Sequence, residues 1–108
     1  MKLIIQEDEE SIYYKDSHGY YPIHLAAKMG YYDCIKPMTK VDRKYVDAVG
    51  GFNKMSALMY ATAYGHFDTV KNLVVNLRAK VNLVDKHGRS ALTYAVRNGH
   101  LKIAAFLL

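Results

Sequence analysis

A single cysteine, two prolines and no tryptophan stand among the 108 residues of this chain. One cysteine excludes an intrachain disulfide framework and makes a reducing, cytoplasmic setting the default. Long hydrophobic runs are missing too. The longest, Ile103 to Leu108, is six residues, far below a membrane-spanning helix. Near the start, only Leu3, Ile4 and Ile5 precede a run of acids, too few for a signal peptide. There is no glycine-rich phosphate loop, no serine-centred elbow and no pair of acids placed for a cleft, so neither catalysis nor a cofactor is expected. What is present suits folding: 51% of residues are hydrophobic and 23% charged, enough for a core and too little charge for disorder. The length allows one compact domain or a short repeat array.

Self-similarity decides between these. Ser56-Ala57-Leu58-Met59-Tyr60-Ala61-Thr62-Ala63-Tyr64-Gly65-His66 matches Ser90-Ala91-Leu92-Thr93-Tyr94-Ala95-Val96-Arg97-Asn98-Gly99-His100 at seven of eleven positions with an offset of 34. Upstream, Tyr21 to Tyr31 follows the same grammar with an offset of 35. Each copy reads as helix, glycine, helix. Ser56 and Ser90 suit the cap of a first helix, and Pro22 suits its first position. Gly30, Gly65 and Gly99 fall where that helix must stop. Apolar residues then recur at helical spacing in a second stretch: Ile35 and Met38; Val70, Leu73 and Val74; Ile103, Leu107 and Leu108. The polar, turn-rich segments Lys44 to Met55 and Lys80 to Arg89 read as extended, hairpin-like loops.

Asp16-Ser17-His18-Gly19-Tyr20-Tyr21-Pro22-Ile23-His24-Leu25-Ala26-Ala27 and Asp85-Lys86-His87-Gly88-Arg89-Ser90-Ala91-Leu92 resemble the ankyrin repeat. The middle copy departs most, with Gly51 or Gly50 where aspartate is expected and Asn53 or Lys54 where glycine is. Asn53 is expected to supply the left-handed residue there. The resemblance implies an all-α repeat solenoid of stacked helix-turn-helix ankyrin repeats joined by β-hairpin-like loops. Its boundaries are the end of a preceding partial repeat at 1–15, repeats at 16–50 and 51–84, and a truncated repeat at 85–108. Ile4, Ile5, Leu107 and Leu108 then lack a capping neighbour, so the chain reads as an excerpt of a longer array, with self-association through its uncapped ends.

The resemblance also bears on the five histidines. His24 is expected to hold backbone near the hairpin, and His66 and His100 to open the second helices. His18 and His87 fall at exposed loop tips, and zinc is not expected without a thiol or carboxylate at ligand spacing. Cys34 aligns with Thr69 and Ile103, which predicts a buried, inert thiol. Pro37, about six residues into the second helix of the first copy, predicts a kink or early end.

Partners of the family usually dock on the concave side, formed by hairpin tips and first helices. Carried over, this nominates Tyr20, Lys28, Met29, Met55, Tyr60, Tyr64, Lys86, His87, Arg89, Tyr94, Arg97 and Asn98 as partner-binding, with Leu25, Tyr60 and Tyr94 partly buried. Tyrosine and arginine on a rigid scaffold dominate interface hot spots. After residue 10 there are fourteen Lys or Arg against six Asp or Glu, and residues 54 to 108 hold six of that surplus of eight. Such a balance draws an acidic protein partner. The expected function is therefore a non-catalytic protein-protein interaction scaffold. The alternative is nucleic-acid or anionic-surface binding through the basic C-terminal half, disfavoured because its cations are scattered and no nucleic-acid motif is present.

Overall fold

A computed structural model describes residues 12–108. Six α-helices follow one another in three pairs: α1 (Pro22–Met29) with α2 (Tyr32–Val41), α3 (Ala57–Ala63) with α4 (Phe67–Val75), and α5 (Ala91–Arg97) with α6 (Leu101–Leu107). A 3-10 turn, Arg43–Asp47, follows α2 and leads to a short hairpin, β1 (Val49–Gly50) antiparallel to β2 (Met55–Ser56). The first helices pack in succession, α1 on α3 and α3 on α5, and α4 packs on α6. The molecule is elongated, 39 × 26 × 21 Å.

Local sequence sets each first helix. Pro22 occupies the first turn of α1, and the Tyr21 amide donates to His24 Nδ1 at 3.2 Å. Ser56 accepts from the Met59 amide and Ser90 from the Thr93 amide, each at 3.3 Å, satisfying donors that the helix leaves bare. Small residues let these helices approach closely: Ala27, Ala57, Ala61, Ala91 and Ala95 are buried, interleaved with Ile23, Leu58, Ile35, Val70, Leu73 and Ile103. Gly30 and Gly65 end α1 and α3 at φ 77° and 78° and leave room for the next pair. A Cβ on Gly30 would lie 2.7 Å from the His66 ring, and one on Gly65 2.8 Å from the His100 ring. Those rings donate from Nε2 to the carbonyls of Lys28 (2.8 Å) and Ala63 (3.2 Å), and His24 donates to Ala48 (2.9 Å). His24 thus bonds backbone near the hairpin, as the resemblance implied, and His66 and His100, besides preceding the second helices, bond the backbone of the unit before.

Several details differ from the sequence reading. Strand pairing is confined to two residues on each side in the first linker, and Lys80–Arg89 contains none, because both tips are held by turn and side-chain bonds instead. At the position of the middle tip aligned with Gly19 and Gly88, the left-handed residue is Lys54 (φ 56°), not Asn53. Helix α2 does not end early: it runs four residues past Pro37, with Ile35 and Thr39 buried on either side of the proline. Burial of those neighbours offsets the single lost hydrogen bond. Cys34 is half-buried rather than buried; Ile35 is the inward residue of that turn. Leu58 is buried while Leu92 is only half-buried. The expectations for Ile4 and Ile5 lie outside the described residues.

Candidate functional site

The hairpin tips are the parts most specified by side chains. At the first, Asp16 Oδ1 accepts from the amides of His18 (2.9 Å) and Tyr20 (3.0 Å). At the third, Asp85 Oδ1 accepts from His87 (2.8 Å) and Arg89 (2.9 Å), and its other oxygen accepts from the Tyr94 hydroxyl. An aspartate that hydrogen-bonds amides two and four residues on builds the turn from its own side chain. The bond from the Tyr20 amide leads in holding the exposed Asp16 carboxyl below its ordinary range. At Asp85 burial pushes the carboxyl up, but the Tyr94 hydroxyl, the two amides and the Arg89 charge together bring it below that range.

The middle tip solves the same problem differently. Gly51 replaces the aspartate, at φ 80°, and a side chain there would run into the Tyr60 hydroxyl and the Tyr20 ring. Tyr60, the counterpart of Tyr94, donates instead to the Gly50 carbonyl at 2.7 Å. Burial, then the neighbouring Tyr20, holds the Tyr60 hydroxyl above the ordinary phenol range, so it remains a donor. The loss of aspartate and the turn of the Tyr60 hydroxyl to a backbone carbonyl are thus one arrangement.

These tips and the first helices enclose a recess of about 350 Å³ lined by Tyr20, Phe52, Asn53, Met55, Tyr60, Ala63, Tyr64, Arg89, Tyr94, Arg97 and Asn98. No acidic residue lines it. Eight of the twelve nominated residues meet here: Tyr20, Met55, Tyr60, Tyr64, Arg89, Tyr94, Arg97 and Asn98. They are not equally presented. Met55, Tyr60 and Tyr94 are buried and form the floor, with the two hydroxyls spent on internal acceptors. Tyr64 and Arg97 are exposed, Arg89 is half-buried, and Asn98 donates to the Ala63 carbonyl at 3.1 Å.

Three of the other four lie beside the recess. The Lys28 ammonium sits over the rings of Tyr20 (5.7 Å) and Tyr64 (5.4 Å), a cation–π arrangement that fixes the rim. Lys86 lies over Phe52 at 4.8 Å, and His87 is 3.3 Å from Asn53 Oδ1. Met29 is exposed and lines none of this surface, and Leu25 is exposed rather than partly buried. Phe52, at the middle tip that the resemblance places on the concave side, is 80% exposed and stands between this recess and a second one lined by Ser17, His18, Tyr20 and Lys28. Among the described residues no three His, Cys, Asp or Glu gather in a group fit for a metal, and no helix is long and apolar enough to cross a membrane.

A family model of ankyrin repeats matches residues 23–108 in three copies. The chain belongs to the ankyrin-repeat family. Ankyrin repeats are a protein-protein interaction module and are generally non-catalytic. Over 54 residues, 50% of this chain and 8% of the relative, the ankyrin array is 41% identical to palmitoyltransferase akr1 of Schizosaccharomyces pombe. Over 110 residues, 96% of this chain and 9% of the relative, it is 35% identical to transient receptor potential cation channel subfamily A member 1 of Homo sapiens. The chain therefore spans less than a tenth of the length of either curated relative. The crystal structure of the yeast ribosomal protein Rps3 in complex with its chaperone Yar1 contains a similar fold. The TM-score is 0.81 at 21% identity, covering 92% of this chain and 73% of that one.

Proposed function

We propose that this ankyrin array is a scaffold, part of a longer protein in a reducing cytoplasmic compartment, that holds an acidic partner protein on its concave surface. The observation that carries the reading is the recess itself, in which four tyrosines and two arginines converge and no carboxylate lines the wall. Tyrosine offers contact area with a polar end, and arginine a forked donor for carboxylates. Support also comes from rigidity: Lys28, Asn98 and the tip aspartates are already engaged within the chain, so little ordering remains to be done on binding.

The test compares proteins retained by the immobilised chain with those retained by Tyr64→Ala and Arg97→Ala, both at exposed positions that leave the floor intact. Loss of a specific protein, with association slowed by salt, supports the reading. Unchanged retention removes the concave face. Micromolar binding of random duplex at physiological salt, lost on replacing Lys86, Arg89 and Arg97 together, favours the nucleic-acid alternative instead.

A further inference from the structure

A further recess, sharing no residue with the concave one, lies where the end of α2, the turn Arg43–Asp47 and the end of α4 meet. It encloses about 200 Å³ and is lined by Lys36, Thr39, Lys40, Arg43, Asn76 and Leu77. Three cations converge on it, and no acidic side chain lines it. Lys36 and Lys40 are four apart on α2 and so share a face, a spacing at which like charges repel. Arg43 is brought beside them by the turn, whose cap Asp42 accepts from the Lys44 amide at 3.0 Å.

The nearby acids are committed elsewhere. Asp42 also accepts from the Tyr13 hydroxyl, and Asp47 accepts from the Lys80 amide at 2.9 Å. The opposite wall is fixed by the end of α4, where the Leu77 amide bonds the Asn72 carbonyl (3.2 Å) and the Ala79 amide bonds Leu73 (2.9 Å). Arg78, between them, takes the left-handed conformation at φ 54°. Asn76 Nδ2 donates one hydrogen to Asn72 Oδ1 (2.7 Å) and keeps a second.

Cations near a helix C-terminus complement its dipole, and that accounts for Lys40 in the last turn of α2. It does not account for Lys36 a turn earlier, or for Arg43 outside the helix. Nor is the pair a property of the repeat, since the counterparts of Lys36 and Lys40 in the next unit are Lys71 and Val75.

We propose that this recess binds a multiply charged phosphate ester, free or as a lipid headgroup. Three converging cations match a polyanion better than one carboxylate, and the guanidinium fork pairs with two phosphate oxygens at once. The space is smaller than a typical drug-sized site of roughly 300–1,000 Å³. It suits one compact group rather than a length of nucleic-acid backbone.

Calorimetric titration of the full chain with inorganic tripolyphosphate, at constant ionic strength, tests this. One saturable site per chain is expected, at least tenfold weaker in the triple variant Lys36→Gln, Lys40→Gln, Arg43→Gln and unchanged in Arg89→Gln, Arg97→Gln. Lys36, Lys40 and Arg43 are exposed, and an unchanged or raised melting temperature without ligand confirms that the triple variant folds. Retention on vesicles carrying phosphatidylinositol bisphosphate, with the same variant dependence, assigns the headgroup; tripolyphosphate binding without retention assigns a soluble ester. Absence of a saturable site, equal loss in both variants, or duplex binding that tripolyphosphate does not displace overturns the proposal. Because the residues differ from those of the concave surface, failure here leaves the scaffold reading untouched.

Discussion

Helices α3 and α5 occupy the same place in consecutive units, yet their burial differs. All six residues from Ala57 to Thr62 are buried in α3, whereas α5 buries only Ala91, Tyr94 and Ala95. Thr62 is 0% exposed, and its counterpart Val96, the more hydrophobic of the two, is 65% exposed. Hydrophobicity therefore does not decide burial here; the neighbour does. Helix α3 is covered by α1 on one side and α5 on the other, whereas among the described residues α5 has a first helix on one side only. In such a stack each unit's stability is its own plus that of its interfaces. The tips add a second contrast, an aspartate with an inward tyrosine in the last unit against a glycine with the same tyrosine in the middle one.

The largest expected effect breaks the first contrast if it is wrong. Leu58→Ala should cost about 2–5 kcal/mol in urea unfolding, and Leu92→Ala less than half as much, since only the former leaves a closed cavity. Equal losses would mean that the flanks are equivalent. At the tips, Gly51→Ala should cost about 2 kcal/mol, from its left-handed backbone and from collision with Tyr60. Gly88→Ala, left-handed but facing open space, should cost about 1 kcal/mol. Adding Tyr60→Phe should recover part of the first loss and none of the second.

The tips also separate by pH. The carboxyls of Asp16 and Asp85 lie below their ordinary range in the fold. Their stabilisation is complete above the unfolded carboxyl pKa, about 4, and is lost as pH falls through the lower folded value. Asp85→Asn should flatten the acid limb of a melting-temperature profile, while changes at the middle tip should leave it alone. A separate decline starts higher. Burial holds His24 below the usual imidazole range, so stability falls as pH drops below about 6.5 toward its folded pKa, and His24→Gln should remove that decline. The smallest effect is a gain: Lys54→Gly should stabilise by about 0.5–1 kcal/mol, because lysine is strained where the flanking units place glycine.

Much of the fold is legible because the same signals recur at one spacing: a cap, small residues on one face, a glycine, a histidine. Those signals are local, and each was sufficient where it stood. The recess was legible only as a set of positions. That Tyr60 and Tyr94 spend their hydroxyls inside depends on contacts with Gly50 and Asp85, nine or ten residues away across a turn. The persistence of α2 past Pro37 depends on what Ile35 and Thr39 touch, which propensity does not report. The basic recess joins Lys36 and Lys40 to Asn76 on another unit. Its sequence trace was a lysine pair at helical spacing followed by Arg43-Lys44, of which the next copy keeps Lys71 and Arg78 but has Val75 and Ala79 in place of Lys40 and Lys44.

Four side-chain bonds between neighbouring helix pairs reach back along the chain. His66 and Thr69 reach back to the carbonyls of Lys28 and Gly30, and His100 and Asn98 both reach back to Ala63. Remove a downstream unit and the upstream one is left with bare carbonyls, which water satisfies readily. Remove an upstream unit and the downstream one is left with an imidazole and a hydroxyl that lose their fixed acceptors and turn to water. The array therefore has a grain, like timber, and severing it just before a unit is a different injury from severing it just after.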